Sequence, residues 1–185
     1  MSDVDLRHLL SQMTFEEKIG QLMQYNTHLF TDSTAEITGP LTDLGLDEAM
    51  LPFVGSVLNF EDAAQMRAIQ QAHLQQDRLK IPMLFMMDVI HGYRTVFPIP
   101  LALSGSFDPE LVRDCSAMAA KEAAASGVHV TFTPMVDLSR DARWGRVMEG
   151  GGEDTLLNTV MGVAQVRGFQ GDDLRDPERI ATCVK

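Results

Sequence analysis

Residues 81–102, IPMLFMMDVIHGYRTVFPIPLA, open with a run, Ile81–Val89, that is apolar almost without interruption. A strand with one solvated face would alternate, so the run predicts a parallel strand buried on both faces. It delivers Asp88 at its carboxyl end. A loop rich in Pro and Gly follows and leads to Asp108 and Pro109, an N-cap with proline at the first helical position. Leu111, Cys115, Met118 and Ala119 then fall at helical spacing and predict a buried stripe. Gly127 is placed to end that helix.

The same rhythm extends in both directions. Residues 54–60 (VGSVLNF), 128–136 (VHVTFTPMV) and 180–184 (IATCV) read as further strands. Residues 61–79 read as a helix with Met66, Ile69 and His73 on one face, and Leu157, Val160, Met161 and Ala164 mark another. Upstream, Leu6, Leu9, Leu10 and Met13 predict a first helix. Thr14 and Glu17 form a capping box that starts a second, with Ile19, Leu22 and Met23 repeating the stripe. From Asn26 to Met50 the pattern dissolves into a long loop, with room for a short helix near Asp47.

Alternating strands and helices imply βα units on a parallel sheet with right-handed crossovers. A closed (β/α)₈ barrel has eight strands and typically ~250 residues. The expected fold class is therefore α/β: a partial (β/α)₈ TIM barrel, roughly its first four strands, preceded by N-terminal helices. A four-stranded open sheet is the alternative, and it would expose an apolar edge. Uncovered strand edges and helix faces also predict self-association.

Composition narrows the function. Of 185 residues, 45% are hydrophobic and 22% charged, which is the balance of a folded domain rather than a disordered chain. The net charge of −11 argues against nucleic acid or an anionic membrane as partner, and suits a neutral ligand such as a sugar. No segment approaches the ~18 apolar residues of a transmembrane helix, and the acidic start MSDVD is unlike a signal peptide, so a cytoplasmic location is expected. Cys115 and Cys183 sit in apolar segments, where buried thiols are expected rather than a disulfide. The histidines lack metal-ligand spacing, and Gly150-Gly151-Gly152 lacks the G-K-[ST] ending of a phosphate loop, so neither metal nor cofactor is expected.

In an α/β barrel the chemistry lies at the carboxyl ends of the strands. Those positions hold Asp88 and His91, then Asp137, Arg140, Asp141, Arg143, Trp144 and Arg146, then Lys185. Carboxylates that accept from vicinal hydroxyls, cations that donate to them and an aromatic face together suit sugar recognition. Each also has a plainer reading. Asp88 could cap the next segment, and His91 could orient its loop through a backbone hydrogen bond. The alternating charges of residues 137–143 could form a solvated ion-pair cluster. Glu153 and Asp154 suit the start of a helix.

Two strings are more specific than position. Residues 80–112, KIPMLFMMDVIHGYRTVFPIPLALSGSFDPELV, contain D-x-x-H-G and S-x-D-P-x-L; residues 132–154, FTPMVDLSRDARWGRVMEGGGED, contain R-D-x-R-W-G-R-x-x-E and a closing E-D. With T-x-E-E-K-I-G-Q-L from Thr14 and the tail RGFQG…IATCVK, they make the chain similar to glycoside hydrolase family 3, in its bacterial β-glucosidase branch. The resemblance runs from about Leu9 to Lys185. It implies that residues 1–185 are the N-terminal portion of that family's barrel domain, with the rest of the barrel and a C-terminal sandwich domain outside this sequence.

The resemblance implies roles. Asp88, Arg146 and Lys185 match the residues that bind the sugar distal to the scissile bond. His91, Asp137, Arg143, Trp144 and Glu149 support them or scaffold the loops. The implied activity is retaining hydrolysis of terminal non-reducing β-D-glucosyl, or else β-xylosyl, residues of a β-glucoside or oligosaccharide. Such a mechanism needs a carboxylate nucleophile and an acid/base. The family's S-D-[WY] nucleophile motif is absent from this sequence, and the glutamate acid/base of this branch comes from a following domain. No catalytic residue is therefore assigned, and these residues alone are expected to be inactive. A non-catalytic sugar-binding remnant, or an aldolase-type barrel with Lys185 as Schiff-base lysine, are the competing readings.

Overall fold

The computed structural model describes residues 6–27 and 52–185, which fall into two compact units divided between Phe85 and Met86. The expected loop and short helix near Asp47 fall mainly on residues 28–51, outside the described residues.

In the first unit, α1 (Leu6–Gln12) and α2 (Phe15–Gly20) precede β1 (Gln24–Asn26), β2 (Ser56–Leu58) and α3 (Ala63–Gln76). The capping box is complete: Glu17 N donates to Thr14 Oγ1 at 3.2 Å and Thr14 N to Glu17 Oε2 at 2.8 Å. The buried Glu17 carboxylate is also held by Arg78, whose Nε and Nη2 donate to it at 3.1 and 2.8 Å. These bonds keep its pKa below the ordinary carboxylate value. Helix α1 forms but buries none of its leucines. Helix α2 ends at Gly20, short of the Leu22 and Met23 that the sequence places on it, and β1 follows at Gln24, where the sequence predicts no strand. Strand β1 pairs in parallel with β2, Tyr25 opposite Val57. Gly20 lets the chain at Phe53 pass close against the end of α2, where a Cβ would overlap it. Ile69 and His73 are buried on α3 as their spacing predicts.

Strand β3 (Leu84–Met87) begins in the first unit, where Phe85 meets Phe60 edge-on at 5.7 Å and Leu84 N donates to Gly55 O. Burial on both faces does not hold along it. Phe85 is fully buried while Leu84 is 47% exposed, so only one face of the strand is fully covered there.

In the second unit β3 pairs with β4 (Val130–Thr131), and β4 with β5 (Ala181–Thr182), all parallel. Helices α4 (Pro100–Ser104) and α5 (Pro109–Ala125) connect β3 to β4, and α6 (Thr155–Gln170) connects β4 to β5. Asp108 caps α5 by accepting from the amides of Glu110 and Leu111 at 3.0 Å, and Gly127 ends it at φ 96°, both as the sequence predicts. The buried stripe of α5 is rotated from the expected one. Leu111 and Met118 are exposed, and Val112, Ser116, Ala119, Ala120 and Ala123 are buried. Close approach of α6 decides this: a Cβ on Gly168 would overlap Arg113 O and Ser116 Cβ, so small residues must face each other. Leu103, Val112, Met161 and Ala164 make the core between α4, α5 and α6. Cys115 is half-buried and Cys183 exposed, both as free thiols; Cys183 lies just past the end of β5, outside the core its apolar neighbours suggested.

Candidate functional site

The candidate site lies wholly in the second unit, where β3, β4 and β5 end. Two buried threonines fix these ends. Val89 N donates to Thr131 Oγ1 at 3.0 Å, and Thr133 Oγ1 donates to Val89 O at 3.2 Å. The residue after Asp88 is thereby stitched to β4. Beyond β5 the pairing continues: Cys183 N donates to Thr131 O, Lys185 N to Pro134 O and Val136 N to Lys185 O, at 2.8, 3.0 and 2.7 Å. Asp88, Asp137 and Lys185 therefore project from adjacent strand ends.

Lys185 Nζ donates to Asp88 Oδ1 at 2.7 Å, with both side chains partly open to solvent. Arg146 makes a two-pronged pair with Glu149, Nε to Oε1 at 2.9 Å and Nη2 to Oε2 at 2.7 Å. The Glu149 hydrogen bonds raise the Arg146 pKa, with Asp137 and Asp88 adding to the effect. The same bonds, helped by the charge of Lys185, hold the Glu149 pKa below its ordinary value. Three carboxylates and two cations thus share one electrostatic neighbourhood.

His91 Nδ1–H donates to Phe97 O at 3.0 Å, and Phe97 N donates to His91 O at 2.8 Å, so this ring orients the loop after β3. Glu122 of α5 pins the same loop by accepting from the amides of Arg94 and Thr95 and from the Thr95 hydroxyl. Nothing in the 122 region signals this from sequence, since an exposed glutamate on a helix is ordinary. Arg143 folds back on Asp141 in a pair that leaves its own side chain 90% exposed, away from any shared cluster. Trp144 is half-buried, and its turn is closed by Trp144 N donating to Asp141 O and Val147 N to Trp144 O. Asp154 caps α6 by accepting from Leu157 N at 2.7 Å. Asn158, which no sequence motif marks, is buried and donates to the carbonyls of Val136 and Asp137. A polar residue one position from the Leu157–Met161–Ala164 stripe was the available signal, because a buried amide must find partners.

No cluster of His, Cys, Asp or Glu suited to a metal ion occurs among the described residues, and none of their helices is long and apolar enough to cross a membrane.

Residues 14–185 match the model of the glycosyl hydrolase family 3 N terminal domain. The chain is 40% identical over 183 residues to a periplasmic beta-glucosidase of Salmonella typhimurium, an alignment that takes in 99% of this chain and 23% of that protein. It is 30% identical over 174 residues to a putative beta-xylosidase of Formosa agariphila, covering 89% and 23% of the two. Among solved structures, the beta-glucosidase of Listeria innocua in complex with isofagomine superposes with a TM-score of 0.91 at 51% identity, over 100% of this chain and 26% of that one. The chain thus spans about a quarter of the length of these relatives. By a family match over nearly all its residues and a fold shared with a solved relative at 51% identity, the chain belongs to glycosyl hydrolase family 3 and carries part of its (β/α)₈ barrel.

Proposed function

We propose that this chain is the sugar-binding part of a β-glucosidase that releases terminal non-reducing β-D-glucosyl residues with retention. Asp88 accepts from sugar hydroxyls, and Arg146 and Lys185 donate to them. The observation that carries this reading is the convergence of Asp88, Lys185, Arg146 and Glu149 at three neighbouring strand ends, every carboxylate hydrogen-bonded to a cation except Asp137. Such a set recognises a neutral polyol through ionised acceptors and fixed donors.

The same pairing argues against Glu149 as the general acid. A general acid must hold a proton near neutral pH, and Glu149 is biased the other way by Arg146. The contact of Lys185 with Asp88 supports reading it as a sugar-binding donor rather than as a Schiff-base nucleophile. Nucleophile and acid/base would come from segments beyond these residues, as the retaining mechanism requires two suitably spaced carboxyl groups. β-Xylosyl substrates are the second reading, supported by the similarity to a Formosa agariphila protein named as a putative beta-xylosidase.

Assay of the chain with p-nitrophenyl β-D-glucoside tests the division of labour. No turnover is expected from these residues. Sustained release that survives purification and disappears in Asp88→Ala would show that the chain holds its own catalytic carboxylates. Reading the gene beyond Lys185 is the companion test: K-H-F straight after Val184 and an S-D-[WY] further on are expected, and a stop codon there would contradict the enzyme reading.

A further inference from the structure

Asn158 closes the first turn of α6 and is 4% exposed. Its Nδ2 donates to Val136 O at 2.9 Å and reaches Asp137 O at 3.4 Å. Its Oδ1 lies against the backbone of Gly151, so close that a Cβ there would stand 2.5 Å from it. The residues it touches form a neck. Met135 bridges Gly150 in parallel, and Ser139 N donates to Gly152 O at 3.0 Å. Residues 140–149 leave and return through that neck as a compact loop whose ends meet. Arg146 and Glu149 ride on this loop. The backbone of Val136 is held on both sides: its carbonyl accepts from Asn158, and its N–H donates to Lys185 O at 2.7 Å.

One buried amide therefore joins the strand end beside Lys185 to the returning arm of the loop that carries Arg146. An amide placed there for packing alone would cost stability unless its donors were used. Both the donors and the oxygen face the neck, not the helix.

We propose that Asn158 is a positioning residue of the sugar site, whose side-chain amide clasps the neck of the 140–149 loop and so sets Arg146 beside Lys185 and Asp88. The role rests on the proposed sugar-binding function, but its structural half can be read without sugar.

The test is the NMR signal of Arg146 Nε–Hε in the intact chain, compared with two variants that open the clasp from opposite sides. Asn158→Leu keeps the size and branching of the side chain and removes its hydrogen bonds. Gly151→Ala leaves Asn158 intact and pushes a methyl group into its Oδ1. In both, the Arg146 signal is expected to shift and to exchange with solvent faster, and glucose affinity to fall roughly tenfold or more, as misplacement at a distance does. Lower melting temperatures with an unchanged Arg146 signal would overturn the proposal and leave Asn158 as a packing residue. Should Asn158→Leu fail to fold, Gly151→Ala decides by the same signal. Should the unmodified chain fail to bind glucose, the functional reading falls, while the Arg146 signal still settles the clasp.

Discussion

The Lys185 ammonium lies 2.7 Å from the Asp88 carboxylate and joins the ends of β5 and β3 across 97 positions of sequence. The side chains are 28% and 45% exposed, so solvent screens their attraction. Their pairing places charge more than it adds stability. Lys185→Met is accordingly expected to change unfolding free energy by less than about 1 kcal/mol in urea titration. It should nevertheless abolish any sugar response, whereas a large loss of stability would make the pair structural.

Glu149 gives a pH dependence with a defined sign. Its folded pKa lies below the ordinary value of 4.5, chiefly through the Arg146 hydrogen bonds. A depressed carboxylate contributes stability that is present above its unfolded pKa and is lost as pH falls through the folded one. Urea midpoints should therefore drop more steeply below pH 4.5 in the unmodified chain than in Glu149→Gln. Parallel curves would mean that the pair does not form in solution.

The close crossing of α5 and α6 predicts a sharp cost for one methyl group. Gly168→Ala would drive Cβ into Arg113 O and Ser116 Cβ, and overpacking of this kind costs about 1–3 kcal/mol. Thermal melting reads it directly. An unchanged melting temperature would mean that the helices sit further apart.

That crossing also shows where the sequence was legible and where it was not. The caps at Thr14 and Asp108, the stop at Gly127 and the order of strands and helices depend on local chemistry, and the residues displayed them. The buried side of α5 depends on which neighbour comes closest. Large apolar residues at Leu111 and Met118 pointed to one face, and the small-residue contact with Gly168 selected another. The site divides in the same way. Strand-end position and motif drew attention to Asp88, Arg146 and Lys185, but the partners they meet, Glu149 on Arg146 and Asn158 on the neck, depend on how the 140–149 loop folds back. Residues 24–26 were missed as a strand because three residues show no period.

An apolar groove of about 550 Å³, walled by Pro134, Val136, Leu138, Val163, Val166 and Val184, stands open in the second unit. With exposed Leu156 and Val160 on the same helix, it predicts that the isolated chain self-associates as concentration rises. Sedimentation velocity over a concentration series checks this; one monomeric species throughout would count against it.

Whether Asp88 holds sugar is read most plainly by a glucose titration of the chain followed by saturation-transfer NMR, run beside Asp88→Ala. A weak response is expected from the unmodified chain, because a site built from part of a barrel is incompletely organised. Asp88→Ala is expected to remove that response while keeping the fold. Identical responses from the two proteins would contradict this and remove Asp88 as a sugar ligand.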